Sequence, residues 1–243
     1  MDALSSILTG IGAFSAVALP MTYGTFIPQS GLWGGRVIWR WDSGLNQVAL
    51  TFDDGPTAPY TGDILDMLEN EGVKGTFFVL GENVQKHPEL LRRMHDEGHA
   101  IGNHTWSHPH YGWTRGLSYW RDEIRRTDDL VQHITGTRPA LFRPPLGAKN
   151  FFTLRAARRL GHLTVTWSKR SFDGVRTTPQ QIIQRLSDTR AGDIVLLHDG
   201  IASNNIGRDP SATVSVVRPL IHKLRERDLN PATVTQMLRT PRA

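Results

Sequence analysis

From residue 47 onward, short apolar runs alternate with stretches whose apolar residues recur every three or four positions. "QVALTF" (47–52), "GTFFVL" (75–80), "HLTVTWS" (162–168) and "DIVLLHDG" (193–200) are β-rich runs closed by turn residues, and they read as strands. "HAIGNH" (99–104) and the proline-broken "ALFRPP" (140–145) are two more. Between them, residues 61–72 place Ile64, Leu65 and Leu68 on one helical face and stop at Gly72. Residues 87–98 carry Pro88 at the first helical position and an apolar stripe of Leu90, Leu91 and Met94. A long helix is predicted over 117–135, ended by Gly136, and a shorter one over 178–186 with a Thr178/Gln181 capping box. A last helix spans about 211–227, where Pro219 either kinks it or marks its start, and "PATVTQML" (231–238) closes the chain.

Repeated strand–helix units without a break in composition imply parallel strands in a single α/β domain, either a barrel or a doubly wound sheet. About seven strands are expected on this pattern. The ionisable residues then fall in a telling place. Asp53 and Asp54 end the first of these strands, His104 and His108 follow the third, and Arg143 ends the fourth. Asp173 follows the fifth and His198 ends the sixth. In parallel α/β folds the C-terminal ends of the strands are where sites assemble, so five segments deliver charged groups to one rim.

Residues 3–35 break the alternation: they hold no charged side chain, and 3–20 are moderately apolar. The only early charge is Asp2, which does not suit the basic start of a signal peptide, although Ala16–Ala18 offers an A-x-A pattern. Residues 1–44 therefore read as an apolar arm or an atypical export or anchor segment, and 45–243 as the domain. Three readings of the arm stand level: exported or anchored, lying on a membrane, or packed on the domain. The 243 residues are 39% hydrophobic and 21% charged, enough to bury a core. The net charge of +5 is spread over dispersed arginines with no basic block, so no nucleic-acid partner is expected, whereas an anionic wall or membrane surface suits the charge. The absence of cysteine excludes disulfides, thiolate metal sites and a cysteine nucleophile.

Adjacent carboxylates at Asp53 and Asp54 repel, and the Gly-Pro that follows forces a turn. Two diverging acids can serve as a metal ligand and a free base. His104 and His108 stand four apart, a spacing that lets two imidazoles share one ion. With a carboxylate from a neighbouring strand they make a two-His, one-carboxylate set suited to Zn²⁺, with Co²⁺, Ni²⁺ and Mn²⁺ as alternatives. His95, His99 and His110 read as structural or surface residues.

At this point the chain resembles the polysaccharide deacetylases of carbohydrate esterase family 4, the NodB-homology domain. The likeness covers roughly residues 45–240 and rests on five motifs in order: "TFDDGP", "HTWSH", "RPPLG", "WSKRSFDG" and "LLHDG". The resemblance implies a distorted (β/α)₇ barrel and assigns roles. Asp54, His104 and His108 would hold one divalent ion, and Asp53 would be the general base on the attacking water. Arg143 would hold Asp53 in place. His198 would protonate the leaving amine with Asp173 orienting it, and the backbone N–H of Leu146 would bind the oxyanion. Leu146 and Gly174 replace aromatic residues usual in the family, and Arg170 replaces a frequent Asp, so two sugar-stacking walls are expected to be missing.

With the resemblance, these residues predict a metal-dependent hydrolase that removes N-acetyl groups from an amino-sugar polymer, oligomer or lipid-linked sugar. The alternatives are hydrolysis of a non-sugar amide or formamide, removal of a sugar O-acetyl ester, and a carbohydrate-binding pseudoenzyme. A pseudoenzyme would be expected to have lost one of Asp53, Asp54, His104, His108 or His198, and all five are present. The expected partner is a carbohydrate, with membrane or cell-wall association through the N-terminal segment. The apolar arm tilts the location toward the cell envelope, with the cytoplasm as the alternative.

Overall fold

The computed structural model describes residues 19–41, 44–204 and 209–241. The apolar stretch before residue 19 and the Ala16–Ala18 pattern lie outside the described residues. Helix α1 covers 19–26, and strand β1, Val37–Ile38, follows it. The parallel strands at the centre are β2 (Gln47–Asp53), β3 (Thr76–Val79), β4 (Ala100–Asn103), β5 (Leu141–Phe142), β6 (Leu163–Val165) and β8 (Ile194–His198). Two short additions, β7 (Lys169–Arg170) and β9 (Asn230–Ala232), complete the sheet. The helices between them are α2 (Tyr60–Asn70), α3 (Gly81–Lys86), α4 (Pro88–Asp96), α5 (Leu117–Thr135), α6 (Phe151–Arg159), α7 (Pro179–Arg185), α8 (Ser211–Arg225) and α9 (Val234–Arg239).

The sheet runs β1-β6-β5-β4-β3-β2-β8-β7, with β9 joined to β2, and every pairing between these strands is parallel. The two ends of this order do not pair, so the sheet is a curled half-barrel, the distorted barrel expected from the motifs. Parallel strands covered on both faces read as continuous apolar runs, as the strand segments do. Val48, Leu50 and Phe52 of β2 pack with Ile64, Leu65 and Leu68 of α2 and Val216, Val217 and Leu220 of α8 in the largest core cluster. Ala49 and Phe78 face the barrel interior with Val165, Trp167 and Leu196.

Most predicted helices fall where the periodicity put them, and the Thr178/Gln181 box caps α7 in both directions. Pro219 does not start a helix: α8 begins at Ser211 and runs through it. The closing "PATVTQML" divides into the end of β9 and helix α9, capped by Thr233. Strand β9 is too short to show a period of its own; it is held by pairing Gln47–Ala49 of β2.

Part of the segment read as an arm is bonded into the domain. Strand β1 pairs β6 through Val37–Thr164 and Ile38–Val165. Thr25 O accepts from Lys149 N, Pro28 O accepts from Thr166 Oγ1, and Gln29 Nε2 donates to Trp167 O. The buried Lys149 donates through Nζ to the carbonyls of Ile27 (2.8 Å) and Pro28 (3.4 Å), and burial pushes its pKa down to about 8. No described helix is long and apolar enough to cross a membrane.

Candidate active site

Strand register brings the dispersed motifs together. Asp53 is the last residue of β2 and lies opposite His198, the last residue of β8. The neighbouring edges follow in step: His104 N donates to Val79 O, and Arg143 N donates to Asn103 O. Each site residue therefore leaves the sheet at the same level, at the C-terminal ends of the strands.

The loops that carry them are held in unusual backbone conformations. Asp54, Thr105, His108, Leu146 and Phe172 all have φ between 52° and 76°, which side chains with a Cβ rarely adopt. Each costs about 1–3 kcal/mol, so the surroundings must enforce it. Asn83, buried behind the first loop, donates to the carbonyl of Asp54 at 2.7 Å. Gly200 permits a close approach, since a Cβ there would sit 2.2 Å from the Asp54 carbonyl oxygen. In the second loop, the Glu123 carboxylate of α5 accepts from the N–H groups of Trp106 and Ser107, both at 3.0 Å.

Asp54, His104 and His108 form a buried triad whose ligand atoms all lie within 4.8 Å of one another. Asp54 Oδ1 stands 3.4 Å from the Nε2 atoms of both His104 and His108. Ligands bound at ~2.0–2.1 Å in a tetrahedral arrangement stand ~3.3–3.4 Å apart, so the spacing fits one divalent ion. His104 Nδ1 lies 2.8 Å from the Arg143 carbonyl, which fixes the N–H there and leaves Nε2 as a lone-pair donor. Burial pushes the His108 imidazole down to about 4, keeping it neutral as a ligand must be. Burial would raise Asp54, yet the imidazoles of His108 and His104 hold it well below the usual carboxylate range. Burial would lower His104, but Asp53 and Asp54 push it up. The cluster draws a positive charge to itself, and a divalent ion is the charge its donors suit.

Asp53 diverges from Asp54 as the adjacent pair required. Its Oδ1 accepts from Arg143 Nη1 at 2.7 Å, and its Oδ2 is 3.7 Å from His104 Nε2. Arg143 is fully buried, with further bonds to Thr51 Oγ1 (2.8 Å) and Thr166 O (3.0 Å) and its guanidinium 4.0 Å over the Phe78 ring. Across the cleft, His198 Nδ1 lies 2.7 Å from Asp173 Oδ1, so its Nε2 is left for the cleft. Asp173 Oδ2 accepts from the N–H of His198 and from Thr213 Oγ1, each at 2.7 Å, and Ser171 Oγ donates to Oδ1 at 2.6 Å.

All eight predicted residues thus meet in one region, and seven of their side chains are buried or nearly so. Leu146 is the exception, with its side chain 53% exposed at the mouth. The cleft of about 190 Å³ is closed on its other sides by Trp167, Arg170, Phe172, Gly174 and Val175. Leu146 and Gly174 leave their positions without a ring as expected, while two rings from other positions, Phe172 and Trp167, line the cleft. Phe172, overlooked in the sequence, is half-exposed between the guanidinium groups of Arg170 (4.7 Å) and Arg185 (5.6 Å). Trp167 packs behind Gly147, where a Cβ would come within 2.7 Å of its ring. The supporting Asn83, Glu123 and Thr213 were also missed, because nothing in their local sequence separates them from ordinary helix residues.

Residues 42–165 match the model of the polysaccharide deacetylase family. The chain belongs to that family. Over 208 residues it is 33% identical to a peptidoglycan-N-acetylglucosamine deacetylase of Bacillus cereus, covering 84% of this chain and 94% of the relative. A chitooligosaccharide deacetylase of Rhizobium leguminosarum bv. trifolii is 38% identical over 161 residues, 66% of this chain and 74% of the relative. The crystal structure of a peptidoglycan N-acetylglucosamine deacetylase in complex with a naphthalenyl-N-oxidanyl-benzamide superposes with a TM-score of 0.78 at 30% identity. It covers 85% of this chain and 94% of that one.

Proposed function

We propose that this protein is a carbohydrate deacetylase that hydrolyses N-acetyl groups of an amino-sugar polymer or oligomer of the peptidoglycan or chitin type. The observation that carries the reading is the buried Asp54–His104–His108 triad beside a second carboxylate, Asp53, that is held apart by Arg143. Similarity to peptidoglycan and chitooligosaccharide deacetylases supports the substrate class. Residues 45–243 are proposed as the main body of the catalytic domain, with strand β1 of the preceding segment paired into its sheet.

Asp54, His104 and His108 would hold one divalent ion, zinc before cobalt, nickel or manganese. The ion supplies Lewis acidity, lowering the pKa of water toward ~7 and polarising the amide carbonyl. Asp53 accepts the proton of the water whose oxygen attacks the acetyl carbon, and Arg143 keeps its carboxylate aimed. The N–H of Leu146 donates to the carbonyl oxygen as negative charge develops there. His198, held by Asp173 through Nδ1, delivers a proton from Nε2 to the nitrogen as the C–N bond breaks, so acetate and a free amine leave. Phe172 and Trp167 offer the apolar walls against which a sugar face and the acetyl methyl can rest.

Acetate release from chitooligosaccharides, peptidoglycan fragments and acetylated xylan tests the reading. Metal-stripped protein is expected to be inactive, Zn²⁺ or Co²⁺ to restore release from the first two, and Asp53→Asn to abolish it. Release from xylan alone would shift the substrate to sugar O-acetyl esters. Failure to bind any divalent ion would sink the mechanism.

A further inference from the structure

A second site lies outside the catalytic cleft, where α1, the loop at 111–115 and the start of α6 meet. Most of the exposed large apolar side chains among the described residues gather there. Leu19, Met21, Tyr23, Phe26 and Ile27 come from α1 and its exit, Leu32 from the following turn, and Phe151 and Phe152 from α6. A cleft of about 400 Å³ there is lined by Met21, Phe26, Trp33, Trp113, Phe151 and Phe152. Its rings are ordered: Phe26 meets Trp113 edge-on at 5.3 Å, and Phe151 meets Phe152 at 5.6 Å. Asn150 ties the elements together, donating to the carbonyls of Trp113 and Arg115. A soluble surface rarely gathers this much apolar area without something to cover it.

The charge around the face indicates what covers it. No acidic residue occurs between Asp2 and Asp42, between Glu97 and Asp122, or between Asp129 and Asp173, the three stretches that build the face. The same stretches supply Arg36, Arg115, Arg155, Arg158 and Arg159. None of these five arginines meets a carboxylate among the described residues. Arg115 and Arg155 instead sit over the rings of Tyr119 and Phe151. Along α6 the exposed residues run Phe151, Phe152, then Arg158 and Arg159, with half-buried Arg155 between them. Aromatic and aliphatic side chains on segments whose arginines meet no carboxylate are the composition of a surface that sinks a few ångströms into anionic headgroups. Residues 3–18 of the sequence add no charge of either sign.

We infer that this face docks peripherally on an anionic lipid bilayer, its rings among the acyl chains and its arginines on the headgroup phosphates. The face and the catalytic rim share one stretch of chain: Leu146 lies at the mouth of the active site, Lys149 is bonded to Ile27 O behind the face, and α6 starts at Phe151. Docking therefore sets the active site beside the bilayer surface, where glycan attached to or growing from the membrane is within reach.

The test is cosedimentation of the full chain with vesicles of phosphatidylcholine alone and of phosphatidylcholine mixed with phosphatidylglycerol. Binding is expected only to the anionic vesicles and to weaken with salt. Phe151→Ser/Phe152→Ser and Arg155→Glu/Arg158→Glu are each expected to weaken it roughly ten-fold or more, with thermal melts near that of the parent. If the phenylalanine pair does not fold, the arginine pair decides alone. No binding to anionic vesicles, or equal binding to neutral ones, would overturn the inference. Binding that both variants leave intact would also overturn it, since residues 1–18 alone would then carry the attachment. So would a dimer in light scattering that both variants dissolve without any affinity for lipid, because the face would then belong to a second copy.

Discussion

Asp173 is the residue on which charge and position are most closely joined. Burial by itself would raise its pKa, but the charge of His198 and hydrogen bonds from His198, Ser171 and Thr213 bring it down to about 2 from the usual 3.8. A carboxyl depressed in the folded state contributes stability that is fully present above its unfolded pKa. That contribution is lost as the pH falls through about 2, and it is on the order of 2 kcal/mol. Asp173→Asn should accordingly be less stable than the parent in urea titrations at pH 6, with the gap closing toward pH 2. A gap of the same size at both pH values would assign the loss to packing instead of charge. The same substitution removes the negative charge and replaces one of the two acceptor oxygens that orient His198 with a donor, and kcat on a soluble oligosaccharide should fall ~10²–10⁴-fold.

At the scale of elements, the proposed metal ligands depend on a helix that does not carry them. Helix α5 holds the 105–108 loop through Glu123, which accepts from Trp106 N, Ser107 N and Ser107 Oγ. The loop also folds on itself, with Thr105 N donating to Asn103 Oδ1 and His108 N to Thr105 Oγ1. Removing a group that positions ligands typically costs ~10–100-fold in metal affinity. Glu123→Ala is therefore expected to lose its ion to a competing chelator at least ~10-fold more readily, while excess metal restores much of the activity. Activity that excess metal cannot restore would mean that the loop has collapsed instead. Gly200→Ala belongs with it: its Cβ would collide with the Asp54 carbonyl, and relief by moving the 53–56 loop should weaken metal binding without touching a ligand.

For the whole molecule, the proposed ion is expected to contribute to the fold's energetics as well as its chemistry. Asp53, Asp54, His104 and His108 are buried together, and burying charged groups is unfavourable unless an opposite charge compensates. A ligand that binds only the folded state at ~100 times its Kd adds ~2.7 kcal/mol. For a chain of this size that amounts to ~5–10 °C in Tm. Stripping the ion with a chelator should lower the calorimetric Tm by about that amount, and Zn²⁺ should restore it. The Asp54→Asn variant should melt at one temperature with or without the ion. A Tm indifferent to metal in the parent would contradict a structural share for the triad.

What the sequence determined by itself was the order of elements and the chemistry delivered to the strand ends. Apolar runs and helical periods are local properties, and Asp53, Asp54, His104, His108, Arg143, Asp173 and His198 each stand beside a strand that such a run identifies. Parallel pairing then requires those ends to share a rim. Tertiary structure alone decided the rest. The two short added strands, β7 and β9, exist only because β8 and β2 pair with them. Phe172 became a wall of the cleft through a left-handed turn that places it between Arg170 and Arg185. Asn83, Glu123 and Thr213 acquired their roles from contacts spanning 16 to 40 residues of sequence. The apolar face at α1 and α6 likewise joins residues more than a hundred positions apart, as in the contact of Lys149 with Ile27. No window of sequence can contain such a surface, because its composition is set by which segments the barrel brings side by side.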